Sequence, residues 1–215
     1  MGLNMFITLE GIDGSGKSTQ ARALAQALQA QGRHVVLTRE PGGTEIGDAI
    51  RHLLLDHPGG QAMSVRAELL LFCASRAQLV DELIRPSLQR GGVVLCDRYT
   101  DSSLAYQGYG RGVDLEQLRR LLDFATDGLT PDLTLYYDLD PQLGLERRRR
   151  ARLLTADDWN RLDAQELAFH QRVHAGYEAL IAQQPARWAR LDASQPVEAV
   201  LAASLAIIQE RLGQH

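Results

Sequence analysis

Between an apolar run, Met5-Phe6-Ile7-Thr8-Leu9, and a helical pattern from Lys17 to Gln31 stands the octapeptide Gly11-Ile12-Asp13-Gly14-Ser15-Gly16-Lys17-Ser18. A Gly, four residues, then Gly-Lys-Ser is the spacing of a phosphate-binding loop, and chance gives about one such match per hundred chains of this size. The pattern constrains the fold because it works in one setting. A strand must deliver the chain to a sharp turn and a helix must leave it, so that freed backbone N–H groups and the helix dipole meet at one anion. Residues Gly11 to Gly16 then cradle phosphates, Lys17 bridges β- and γ-phosphate oxygens, and Ser18 ligates Mg²⁺. Lys17 is also the only lysine among 23 basic residues. Arginine serves everywhere else, and the compact ammonium is kept where a planar guanidinium fits poorly.

The rest of the chain alternates short apolar runs with helical patterns. Strands are expected at 5–9, 35–37, 93–96, 133–137 and, more weakly, 188–191; their continuous apolar character suits strands covered on both faces. Helices are expected at 17–31, 46–55, 66–88 with an interruption near Pro86, 115–125 and 196–212. After Arg161, residues Leu162, Phe169, Val173, Tyr177 and Leu180 fall on one helical face. This order implies an α/β fold with a parallel sheet and right-handed crossovers. At 215 residues and 45% hydrophobic, the chain is most simply one domain spanning 1–215.

A net charge of −4 argues against a surface devoted to nucleic acid. Cys73 and Cys96 lie in apolar surroundings and read as buried thiols. The first nine residues are too short for a signal-peptide core and no apolar stretch is long enough to span a bilayer, so no membrane partner and a cytoplasmic location are expected. His170 and His174 have metal-ligand spacing on a helix, but two ligands specify little, and a solvent-facing pair is expected.

Open α/β sheets bind ligands at the carboxyl ends of their strands. The third expected strand delivers Asp97-Arg98-Tyr99 to that edge. Together with Thr38-Arg39-Glu40-Pro41-Gly42-Gly43-Thr44, Phe72-Cys73-Ala74-Ser75-Arg76 and Ala105-Tyr106-Gln107-Gly108, this motif stands in the order and spacing of bacterial thymidylate kinases, which the chain resembles over nearly its whole length. The resemblance extends to Pro131-Asp132-Leu133-Thr134-Leu135 and Asn160-Arg161-Leu162-Asp163. It implies a three-layer P-loop NTPase fold, a five-stranded parallel sheet flanked by helices with a mobile lid, a homodimer, and transfer of the γ-phosphoryl group of ATP to dTMP with Mg²⁺ present.

The same resemblance distributes roles over the acceptor site. Phe72 and Arg76, four apart on a helix, meet one planar ligand: the ring stacks on thymine and the guanidinium donates to a base carbonyl. Ser103 and Gln107 address the pyrimidine edge, Tyr106 packs against deoxyribose, and Arg39 and Pro41 border the site. Arg51 holds the acceptor's 5′-phosphate, and Arg98 sits between donor and acceptor phosphates. Asp13 is similar to an acidic residue near either the acceptor's 3′-hydroxyl or the metal, and the sequence leaves that choice open. Residues 147–160, opening on Arg147-Arg148-Arg149-Arg150, resemble a lid that brings arginine to the transferred group; Arg147 and Arg150 are the choices. Another nucleoside monophosphate or deoxynucleoside kinase, and an ATP-sensing module without transfer, are the alternatives.

Overall fold

A computed structural model describes residues 4–57, 62–154 and 166–213. Five strands form one parallel sheet: β1 (Met5–Glu10), β2 (Val35–Arg39), β3 (Val93–Asp97), β4 (Leu133–Asp138) and β5 (Trp188–Asp192), in the order β2-β3-β1-β4-β5. The three inner strands are almost wholly buried, while β2 and β5, each at an edge, are only partly buried. Alternation along β1 feeds two layers. Phe6 packs with Leu79, Val80, Ile84, Val94, Cys96 and Tyr99, whereas Met5, Ile7 and Leu9 join the cluster that holds Leu24 and Leu28. Between them Thr8 and Thr134, both fully buried, satisfy each other through hydroxyls 2.9 Å apart.

Register brings the strand ends level. Arg39 and Leu9 both align with Asp97, so the residues that follow β1, β2 and β3 emerge together at the carboxyl edge. The chain leaves β1 toward β2 and leaves β3 toward β4, which makes the space between β1 and β3 the switch point where such sheets bind ligands.

Helices α1 (Lys17–Ala30), α2 (Glu45–Leu55), α3 (Val65–Leu79), α6 (Leu115–Thr126) and α9 (Val197–Gly213) fall close to the expected positions. Side-chain caps start three of them: Thr44 accepts from Gly47 N–H, Ser64 from Ala67 N–H and Asp114 from Gln117 N–H. The interruption expected near Pro86 is a π-helical turn, Val80–Ile84, leading into α4 (Arg85–Gln89). The wider turn accommodates a proline that lacks an N–H and would crowd the carbonyl four residues back.

Three features depart from the sequence reading. Thr100–Ser103 is helical (α5) and continues as a π-helix over Leu104–Gly110. Pro141–Leu154 forms α7, starting where Asp140 accepts the N–H groups of Gln142 and Leu143. Helix α8 spans Leu167–Gln183; the expected lid is helical as far as Leu154, and its remainder, with Leu162 and the motif 160–163, lies outside the described residues. Among the described residues, no helix is long and apolar enough to cross a membrane. Both cysteines are buried thiols as expected.

Candidate active site

A cavity of about 930 Å³ opens along the carboxyl edge of β1, β2 and β3. Its donor end is the loop after β1. Gly16, at φ 87°, caps α1 with no side-chain acceptor, so the first N–H groups of the helix remain available to a phosphate. The Lys17 ammonium is buried under the loop, donating to the Ile12 carbonyl at 2.8 Å with the Ser15 hydroxyl at 3.4 Å. Burial and the nearby Arg98 guanidinium lower its pKa to about 8, against the pull of Asp13, Asp97 and Glu10. The Ser18 hydroxyl donates to Asp97 at 2.5 Å, which sets two hard oxygen donors side by side at the helix N-terminus.

Arg98 occupies the centre. Its backbone is left-handed, φ 74°, a conformation that costs a residue with a side chain about 1–3 kcal/mol. The fold holds it there through Arg98 N–H to Leu9 O (3.0 Å) and through four side-chain bonds. Nη1 donates to Gly11 O at 3.2 Å and Ser102 Oγ at 3.0 Å; Nη2 donates to Asp13 Oδ1 at 2.6 Å and Tyr106 Oη at 3.1 Å. Tyr106 also donates to Asp13 Oδ2 at 2.9 Å. Burial pushes the Asp13 carboxyl upward, but Arg98 and Lys17 outweigh it and hold the group well below the usual carboxylate range. Asp13 thus stands with Arg98 and Tyr106, while Asp97 stands with Ser18.

The far end is built by α3 and the turn after β2. Phe72 is partly exposed and lines the cavity. One turn on, Arg76 is almost fully buried: Nε donates to Glu40 Oε2 at 2.8 Å, and Nη2 donates to Tyr99 O and Ser103 Oγ at 3.1 Å each. Nη1 of Arg76 is buried and has no hydrogen-bond partner among the described residues. An orphaned charged donor costs about 1–3 kcal/mol or more, so this group invites an acceptor from a ligand. Gln107 is buried in the wall and donates to Glu68 at 2.9 Å. Arg51 lines the cavity and donates to Pro41 O at 3.1 Å. Exposed Arg39 pairs with Asp48 at 3.6 Å.

Of the residues singled out in the sequence, Asp13, Gly14, Gly16, Lys17, Ser18, Arg39, Pro41, Arg51, Phe72, Arg76, Arg98, Ser103, Tyr106, Gln107 and Arg147 line this one cavity. Gly11, Ile12 and Ser15, in the same loop, are not among the lining residues; the Ile12 carbonyl and Ser15 hydroxyl accept from Lys17. Arg147 donates to Ala193 O at 2.9 Å, and its neighbour Arg148 also faces the cavity. Arg150 is exposed and does not line the cavity: the cavity face of α7 carries Arg147, Arg148 and Ala151, and Arg150 is rotated to the far side of Arg147 from it. The histidine pair is not solvent-facing: His170 is buried, and only His174 is partly exposed, bonded to Asp138 at 2.8 Å. Asp138 and Glu178 come close enough to His174 to share a cation, but Arg190 pairs with both carboxylates.

Of the buried carboxylates to which sequence reasoning assigned no role, three pair with residues of the cavity wall: Glu10, Glu40 and Glu68. Glu40 takes two donors of Arg76; burial raises its pKa and Arg76 opposes the rise. Glu10 accepts Tyr99 N–H at 2.8 Å, Ser102 Oγ–H at 2.6 Å and Tyr177 Oη–H at 2.8 Å, and Ser102 in turn accepts from Arg98. A signal was present for two of them: Glu10 directly follows the apolar run 5–9 and Glu40 stands three residues beyond the run 35–37, where the chain reaches the ligand edge.

The family model described as thymidylate kinase matches residues 9–203. A thymidylate kinase of Roseiflexus castenholzii is 55% identical, covering 98% of this chain and 95% of the relative. One of Exiguobacterium is 49% identical over 98% of this chain and 96% of its own length. The crystal structure of thymidylate kinase from Ehrlichia chaffeensis superposes with a TM-score of 0.76 at 34% identity, covering 96% of this chain and 99% of that one.

Proposed function

This chain belongs to the thymidylate kinase family, and from that premise we infer how its residues transfer the γ-phosphoryl group of ATP to dTMP, giving dTDP and ADP, a step toward dTTP. The observation that carries the assignment of roles is the continuity of one cavity from Lys17 through Arg98 to Arg76. Donor loop and base pocket are thereby joined by a guanidinium placed between them.

An oxygen of the dTMP 5′-phosphate attacks the γ-phosphorus, the bond from that phosphorus to the β-phosphate oxygen breaks, and ADP leaves with the electron pair. The attacking oxygen is already anionic, so no side chain has to remove a proton. Catalysis is positioning and charge neutralisation. Lys17 holds the β- and γ-phosphates, Arg98 spans both substrates, and Arg147, with Arg148 beside it, approaches from α7. Arg51 holds the acceptor phosphate in line. Phe72 stacks on the base, Arg76 Nη1 donates to a base carbonyl, Tyr106 packs on the deoxyribose, and Asp13 takes the 3′-hydroxyl beside it. The Ser18 and Asp97 oxygens suit a hard cation and would hold Mg²⁺, which would supply charge neutralisation for the transferred phosphoryl group.

We extend the reading to the whole molecule as one P-loop unit over 1–215 with a lid at 147–160, cytoplasmic and homodimeric. The dimer is supported by apolar groups left outside the core on α3 and α6, where Leu70 is 57% and Phe124 90% exposed. A panel of nucleoside and deoxynucleoside monophosphates and nucleosides, incubated with ATP and Mg²⁺ and read by product mass, tests the assignment: dTDP is the expected dominant product. Brisk ATP hydrolysis without dTDP would refute it, and tight ATP binding without any product would favour a sensing module.

A further inference from the structure

Stacking on Phe72 accepts any base, so discrimination rests on the polar wall around it. Glu68, Phe72 and Arg76 are spaced by four along α3 and form one stripe of that helix. Glu68 is 1% exposed and is paired with Arg111 Nε at 3.3 Å. Its Oε1 takes the Gln107 side-chain N–H at 2.9 Å.

A carboxylate only accepts, so it fixes which way round the Gln107 amide lies. Flipping that amide would set two oxygens against each other at hydrogen-bonding distance in a buried wall. With its nitrogen held by Glu68, the amide oxygen is the group Gln107 offers to the cavity. Thymine presents an N3–H donor between two carbonyls, whereas cytosine presents an N3 lone pair beside an amine. The Arg76 Nη1 donor and the Gln107 oxygen together form a pattern that thymine completes and cytosine inverts.

We propose that Glu68, without touching substrate, is a positioning residue for base specificity: by locking the Gln107 amide it selects a pyrimidine with N3–H over one with a bare N3. This rests on the acceptor-base placement given above.

The test compares kcat/KM for dTMP and 5-methyl-dCMP, which differ only on the N3 and C4 edge, in wild-type protein and Glu68→Gln. The substituted side chain has an N–H of its own to give, so the Gln107 amide can turn and show its nitrogen to the base. The dTMP preference should fall by roughly tenfold or more, mainly through KM, with the KM for ATP unmoved. In a Gln107→Ala background the same substitution should leave the preference unchanged, an outcome that a general structural role of Glu68 does not produce. Glu68→Asp, which keeps the charge but withdraws the carboxylate, should also lower the preference and serves if Glu68→Gln is unstable. Folded variants that keep wild-type preference overturn the proposal, as does an equal effect with and without Gln107. Wild-type protein inactive on dTMP would instead overturn the functional reading, and this inference with it.

Discussion

Replacing Glu10 by glutamine removes one titratable proton from the wall behind Arg98, and the effect on stability depends on pH. The carboxyl is fully buried at the end of β1. Burial, reinforced by Asp101, pushes its pKa from 4.5 up to about 7, while Arg98 and the bonds from Ser102 and Tyr177 pull it down. Between those two values the folded protein holds a proton that the unfolded chain has released, so this group's contribution to stability falls as pH rises through the window. Integrated from pH 5 to pH 8, the loss is about 2.5 kcal/mol. The amide that replaces the carboxyl in Glu10→Gln has no such titration; its oxygen can accept Tyr99 N–H and its nitrogen can donate to the Ser102 and Tyr177 oxygens. The absolute offset between the two proteins is therefore uninformative, and the pH dependence of their difference is the quantity to read. Urea unfolding at pH 5, 6, 7 and 8 should show the variant gaining on wild type by about 2.5 kcal/mol, with the gain levelling off above about pH 7.5. A difference constant to about 0.5 kcal/mol across the series would refute the raised carboxyl.

Other perturbations follow from the same geometry. With the Lys17 pKa lowered to about 8 by burial and Arg98, kcat/KM for ATP should fall on the alkaline side with a midpoint near that value. The limb in kcat should lie higher, because bound phosphates restore the charge; coincident limbs would exclude Lys17 as their source. Lys17→Arg should lose most turnover, since the ammonium fills a buried site under the Ile12 carbonyl, and near-normal kcat would show that ammonium geometry is unimportant. Gly144→Ala puts a methyl 2.7 Å from Asp13 O and 2.8 Å from Ile12 Cδ1, forcing α7 off the phosphate loop. About 1–3 kcal/mol of overpacking should reduce kcat roughly tenfold and lower Tm, and unchanged kinetics would show that α7 is free to shift. Arg76→Lys keeps the charge opposite Glu40 but loses the fork, so kcat/KM for dTMP should fall roughly 10- to 100-fold with the KM for ATP steady; a loss under threefold would remove Arg76 from base recognition.

The residues that reach the cavity were legible where local pattern and chemistry coincide. The loop from Gly11 to Ser18 carries its own spacing, and the apolar runs located every strand to within a residue or two at its ends. The segment 100–110 was not legible, for a physical reason. No element was expected there, yet Cβ atoms added at Gly108 and Gly110 would lie 2.5 Å from Leu115 Cδ2 and 2.7 Å from Phe169 Cε2. These glycines are there to let α6 and α8 approach closely, and that packing, rather than helix propensity, keeps Leu104–Gly110 helical. The π-helix places Tyr106 and Gln107 along the same cavity, so the least predictable element carries two of the acceptor contacts.

The buried carboxylates escaped prediction for a related reason. Glu40 meets Arg76 across 36 residues, Glu68 meets Gln107 across 39 and Glu10 meets Ser102 across 92. No periodicity records such distances, since burial of a charge is a property of the assembled sheet and helices. Each stands immediately behind a residue that the sequence did single out: Glu40 behind Arg76, Glu68 behind Gln107 and Glu10, through Ser102, behind Arg98. A long polar side chain at a ligand edge can adopt many rotamers, and a carboxylate fixed in the wall removes most of them before substrate arrives. The groups that touch substrate can thus be read from motif, while the groups that make those contacts selective emerge only with the fold.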